Sequence, residues 1–140
     1  MSTLDEMNDI AQLMRLDVKY AVRMGVPADI FASQEESIQR SIKEANVRGF
    51  RMAATDIVQA LGDWEPQSLV AEFLKEVKAA TGKSAFEIAG HPAKRLAKIL
   101  KKGAIKNESE FYLLKEHSAG NTQEADQIEK MLIDYEDTLR

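Results

Sequence analysis

From Met7 to Leu139, apolar residues recur at spacings of three and four, interrupted by glycine, proline and helix-capping signals, and no stretch alternates apolar with polar. Such a chain has a stripe to bury in every segment and no strand to pair, so it is expected to be all-α. The punctuation divides it into a compact bundle of six or seven helices, a single helical domain over residues 1–140.

The first segment, about residues 3–24, places Met7, Ile10, Met14, Val18 and Ala21 on one face, and Gly25-Val26-Pro27 stops it. In the second, Ser33 and Glu36 stand at capping-box spacing, and the apolar or small positions Ile38, Ile42, Ala45, Gly49, Met52, Ile57 and Ala60 follow. This segment is expected to be one helix, continuous or mildly bent, as far as Leu61. Gly49, in its seam, either permits close helix contact or marks a break. Pro66 suits a first helical position, and Leu69, Phe73, Val77 and Ala80 form the next stripe before Thr81-Gly82. Trp64 is expected to anchor the packing at that chain reversal. Ser84 and Glu87 cap a short turn that ends at Gly90. Pro92 opens a helix with Leu96, Ile99 and Leu100 that closes at Gly103, and Asn107 with Glu110 caps the next, which carries Phe111 and Leu114. Gly120-Asn121-Thr122 leads into a last helix with Ala125, Ile128, Leu132, Tyr135 and Leu139.

Charge is segregated along the chain. Residues 1–36 have 7 acids and 3 bases, residues 37–107 have 7 and 13, and residues 108–140 have 9 and 3, which gives −4, +6 and −6 within a total of −4. That layout either steers a charged partner or is neutralised internally, acidic ends against basic middle. In the last helix Asp126 and Asp137 point away from the apolar stripe, while Glu129, Asp134 and Glu136 flank it; these five carboxylates are the candidate partner-binding residues. The chain has no cysteine, which excludes disulfides, thiolate catalysis and iron–sulfur ligation. Acids at the start and the lack of a long apolar run point to neither a secretory signal nor a membrane span, so the expected location is cytoplasmic.

The chemical motifs fail on spacing. Thr81-Gly82-Lys83-Ser84 looks like the end of a phosphate-binding loop, but Val77 stands where its first glycine belongs. His91 and His117 fit no metal-ligand pattern, and structural roles near helix ends suit them better. His117 and Ser118 are neighbours without a third group to orient them, and no glycine-flanked serine elbow exists. No catalytic residue, metal or cofactor is expected, and no enzyme activity. The alternative is nucleic-acid binding: a short helix, the Ala89-Gly90-His91-Pro92 turn and a helix bearing Lys94, Arg95, Lys98, Lys101 and Lys102 outline a helix-turn-helix, although asparagine or glutamine base readers are missing.

The stretch Lys94-Arg95-Leu96-Ala97-Lys98-Ile99-Leu100-Lys101-Lys102-Gly103-Ala104-Ile105-Lys106-Asn107-Glu108-Ser109-Glu110-Phe111-Tyr112-Leu113-Leu114 resembles the C-terminal half of small bacterial toxin-immunity proteins, in particular those of contact-dependent growth inhibition. The resemblance implies a cytoplasmic protein that binds and blocks one cognate protein toxin domain, often a nuclease. A cysteine-free acidic chain without a catalytic constellation is compatible with it, because carboxylates can imitate phosphate in a basic substrate cleft.

Overall fold

The computed structural model describes residues 3–90, 92–118 and 125–139, and all their side chains except those of residues 92, 93, 117 and 118. It is all-α: eight α-helices and two short 3-10 turns, Ala28–Phe31 and Leu61–Asp63, are present among the described residues. The helices are α1 (Thr3–Arg23), α2 (Gln34–Lys43), α3 (Val47–Ala60), α4 (Ser68–Thr81), α5 (Ala85–Ala89), α6 (Pro92–Lys102), α7 (Glu108–Ser118) and α8 (Ala125–Thr138). They group into two compact units, residues 1–90 and 91–140. The expected lead-in Gly120-Asn121-Thr122 and the helix-start role of His91 lie outside the described residues.

In the first unit α1 packs against α2, α3, α4 and α5. Its buried side chains are Met7, Ile10, Ala11, Leu13 and Tyr20, so the stripe is centred further round the helix than Met14, Val18 and Ala21 would put it. Tyr20 has no exposure and meets two other rings, Trp64 stacked at 5.8 Å and Phe73 edge-on at 5.6 Å. Trp64 and Phe73 are 5.0 Å apart. Trp64 thus packs at the chain reversal, where the Gln67 side-chain amide donates to the carbonyls of Leu61, Gly62 and Trp64. Pro66 lies two residues before α4, joined to Glu65 by a cis peptide bond.

The segment expected to be one helix is two. α1 ends in a Schellman motif: Val26 N–H donates to Ala21 O and Gly25 N–H to Val22 O, with Gly25 at φ +106°. α2 ends in the same pattern. Asn46 N–H donates to Ser41 O at 2.9 Å and Ala45 N–H to Ile42 O at 3.1 Å, but the left-handed residue is Ala45, at φ +54°. The usual glycine signal is missing, which is why the break is hidden in the sequence. Asn46 then caps α3, its Oδ1 accepting from Gly49 N–H at 3.1 Å. A Cβ on Gly49 would lie 2.7 Å from Asn46 Nδ2, so the glycine makes room for the cap. The interruption also resets the helical phase. Phe50, Ala54 and Val58 form the buried stripe of α3, whereas Met52, expected in the core, is 60% exposed. At the other end of α2, Ser33 makes no side-chain cap hydrogen bond, and Glu36 pairs with Arg40 instead of closing a capping box.

In the second unit α7 packs on both α6 and α8. Ile99, Phe111, Leu114, Ile128 and Met131 are buried, and the Tyr135 ring lies 5.4 Å from that of Phe111. The Gln127 side-chain amide donates to Leu100 O at 3.0 Å, tying α8 to the end of α6. Asn107 caps α7 as the sequence indicates, accepting from Glu110 N–H at 3.0 Å, while Glu110 accepts from Lys106 N–H at 2.8 Å.

Two stability measurements test the α2–α3 junction. Ala45→Gly relieves the left-handed strain and is expected to raise unfolding free energy by about 0.5–1 kcal/mol in denaturant titration. Asn46→Ala should cost about 1 kcal/mol in the native background but close to nothing beside Gly49→Ala, which already displaces the cap.

Candidate functional site: the outer face of the last helix

Most of the named ion pairs of the first unit hold its helices together. Glu6 meets Arg51 at 2.6 Å, Asp9 meets Lys83 at 2.8 Å, Arg15 meets Glu35 at 2.7 Å, and Lys19 and Arg23 meet Glu76 and Glu72, each at 3.0 Å. Glu6 and Asp9 are thus neutralised by bases from the middle of the chain, as one of the two charge expectations had it, whereas Lys19 and Arg23 pair with acids of the middle and Arg15 with an acid of its own segment. Lys83, from the sequence that resembles a phosphate-binding loop, is one of those middle bases. Its neighbour Thr81 ends α4, with its hydroxyl donating to Val77 O at 2.8 Å.

The five carboxylates nominated on α8 differ. Asp126, Glu129, Asp134, Glu136 and Asp137 are all exposed, and none makes an ion pair or hydrogen bond among the described residues. Four of them surround one apolar side chain. Asp126 and Glu129 stand seven and four residues before Ile133, and Glu136 and Asp137 stand three and four after it, the spacings that share a helix face. Ile133 is 51% exposed at the centre of this group. Lys130, three residues before Ile133, is a base on the same face. Asp134 is set apart, lining a hollow of about 110 Å³ with Gly103, Ala104, Ile105, Met131, Tyr135 and Thr138. The Tyr135 phenol is pushed up from its usual value first by burial, then by Glu108, Tyr112 and Glu110.

Ile133 was missed by sequence reasoning, and a signal was available. An isoleucine outside the apolar rhythm of an amphipathic helix serves neither the core nor helix propensity, since Ile is less favourable than Ala on an exposed helix face.

The basic residues of the alternative lie on α6. Lys94, Lys98 and Lys101 are exposed, Arg95 is half-buried with its pKa lowered by desolvation, and Lys102 pairs with Glu110 at 2.8 Å. The first helix of the expected helix-turn-helix, α5, has five residues and belongs to the first unit, whereas α6 belongs to the second.

A shallow hollow of about 560 Å³ along α3 is lined by Arg48, Arg51, Met52, Thr55, Asp56 and Gln59, with Arg51 held by Glu6 and the Thr55 hydroxyl donating to Arg51 O. No group of three or more His, Asp or Glu is placed to hold a metal ion among the described residues, and none of their helices is long and apolar enough to cross a membrane. The side chains of His91, His117 and Ser118 lie outside the described residues. No family model, curated protein or solved structure matches the chain.

Asp17 has the most strongly raised carboxyl pKa, brought to about 6 by desolvation. It stands four residues after Leu13 and three before Tyr20, on the packing side of α1, and makes no hydrogen bond or ion pair among the described residues. Because the folded value lies above the unfolded one, this group favours the folded state fully below about pH 4, and that contribution is lost as pH rises through 6. Asp17→Asn is accordingly expected to stabilise the protein at pH 7 by on the order of 2 kcal/mol, with the advantage shrinking toward zero by pH 4. Chemical denaturation of both proteins across that range checks this; an advantage independent of pH would show that the carboxylate is not desolvated.

Proposed function

We propose that this chain is a non-enzymatic protein-binding inhibitor, an immunity protein that neutralises a cognate toxin domain, a nuclease, in the cytoplasm, of the kind found in contact-dependent growth inhibition. The carrying observation is the α8 face, an exposed Ile133 surrounded by Asp126, Glu129, Glu136 and Asp137, none of which is neutralised among the described residues. Carboxylates arranged in this way suit the basic cleft through which a nuclease holds phosphate. Charge steers the encounter and selects the partner, while an apolar anchor inserted into a dry pocket supplies much of the affinity. The resemblance of residues 94–114 to toxin-immunity proteins supports the same reading from a different helix pair.

The test is whether proteins encoded by the adjacent reading frames include a toxin domain that this chain binds and inhibits stoichiometrically. A one-to-one complex should form and suppress toxin activity, with association slowing as salt rises. Reversing Asp126, Glu129, Glu136 and Asp137 to lysine should slow association about tenfold or more at low salt. Ile133→Ala should leave association almost unchanged and speed dissociation by roughly 30-fold, the loss of about 2 kcal/mol typical of an interface anchor. Asp134→Lys, on the other flank, should do less than any of the four. Lack of a complex, or an association rate indifferent to the four reversals, would remove this reading.

A further inference from the structure

α6 carries three lysines that make no ion pair among the described residues. Lys94, Lys98 and Lys101 are spaced by four and three residues and so form one ridge, while Leu96, Ile99 and Leu100 lie on the other side with Ile99 buried. All three ammonium groups are exposed and make no ion pair among the described residues. Arg95, half-buried at the edge of the ridge, has no carboxylate partner there either. The C-terminal end of the basic segment differs, because Glu110 takes both the Lys102 ammonium and the Lys106 amide at 2.8 Å.

Helix stability does not account for this arrangement. Lys101 and Lys102 in the last turn favour the negative end of the helix dipole, but Lys94 and Arg95 stand near the positive end, where the dipole opposes them. Lys94 and Lys98 also repel each other at a four-residue spacing. Both effects are small for hydrated side chains, but they run against the row, which leaves it a surface complementary to an anion.

We propose that the Lys94–Lys98–Lys101 ridge, edged by Arg95, is a second binding surface that takes the phosphate backbone of a nucleic acid without reading its sequence. A linear row of point charges matches a linear polyanion, since lysine contacts phosphate without the directional fork that reads guanine. Base readout is not expected, because the exposed side of α6 offers no asparagine or glutamine. An anionic membrane fits less well: the apolar side chains that an interfacial helix inserts are turned to the interior, Ile99 buried and Leu96 and Leu100 half-buried. This surface is independent of the α8 face and of what that face binds.

Fluorescence anisotropy of the full chain with short labelled duplexes of two unrelated sequences provides the test. Binding is expected at 50 mM salt, equal for both duplexes, weakening roughly 40-fold by 200 mM if three phosphates are neutralised. Replacing Lys94, Lys98 and Lys101 by glutamine should abolish it, with circular dichroism confirming an unchanged helical fold. Replacing Lys43, Lys75 and Lys78, three exposed lysines of the first unit, removes the same charge and should leave binding intact. No binding at 50 mM salt, equal losses from the two lysine sets, discrimination between the duplexes, or binding to phosphatidylserine vesicles with none to the duplexes would each overturn the proposal.

Discussion

The first unit depends on how α1 is shared among its neighbours. One side of this helix is apolar and buried, and its polar margins are tied by Glu6 to α3, by Arg15 to α2, by Lys19 and Arg23 to α4, and by Asp9 to Lys83 between α4 and α5. Exposed ion pairs add little to stability because both charges are already well solvated. Their consequence here is orientation, since the apolar stripe alone tolerates several helix arrangements and the paired margins distinguish them. Tyr20 joins the two effects. Its ring is buried against Trp64 and Phe73 while its hydroxyl donates to Glu76 at 2.5 Å, and burial followed by that contact pushes the phenol up to about 12.

The second unit handles charge in the opposite way. Residues 91–140 hold 9 acids and 9 bases, yet these are sorted by helix: basic residues predominate on α6 and acids on α8. Glu110 neutralises one end of the basic segment, and both the α6 ridge and the outer α8 face remain open among the described residues. Hydrated surface charges cost the fold little. They become consequential when a partner of opposite sign approaches, because segregated charge produces a directional field that interleaved charge would cancel.

Helix identity was legible because its signals are local. Gly25, Gly82, Gly90 and Gly103 all take positive φ at helix ends, and the Ser84 and Asn107 side chains cap where their spacing indicates. The α2–α3 break was illegible for an equally local reason. Ala45 occupies the left-handed position of a motif that normally announces itself with glycine, and Asn46 is hidden inside an apparently continuous apolar rhythm. One unseen interruption then shifted the buried face of α3, which is why Met52, expected inward, is exposed, and Phe50, outside the expected stripe, is buried. For the candidate site, exposure of the α8 carboxylates followed from periodicity, but the separate position of Asp134 required the adjoining α6–α7 loop, which no spacing rule supplies.

Departures from the helical pattern fall into two physical kinds. Ala45 and Asp17 lie within the framework, one strained and one desolvated, and each lowers the stability of the state it belongs to. Ile133 and Lys94 leave the fold almost indifferent but present an apolar side chain or uncompensated charge to the outside. A departure of the first kind can persist because the surrounding contacts outweigh it, so it needs no partner. The second kind has no such internal compensation: exposed isoleucine among carboxylates gains nothing until water is excluded from it, and cations at the positive end of a helix gain nothing until an anion arrives. For that reason the outward departures of the second unit, rather than the irregularities of the first, are where binding is to be sought.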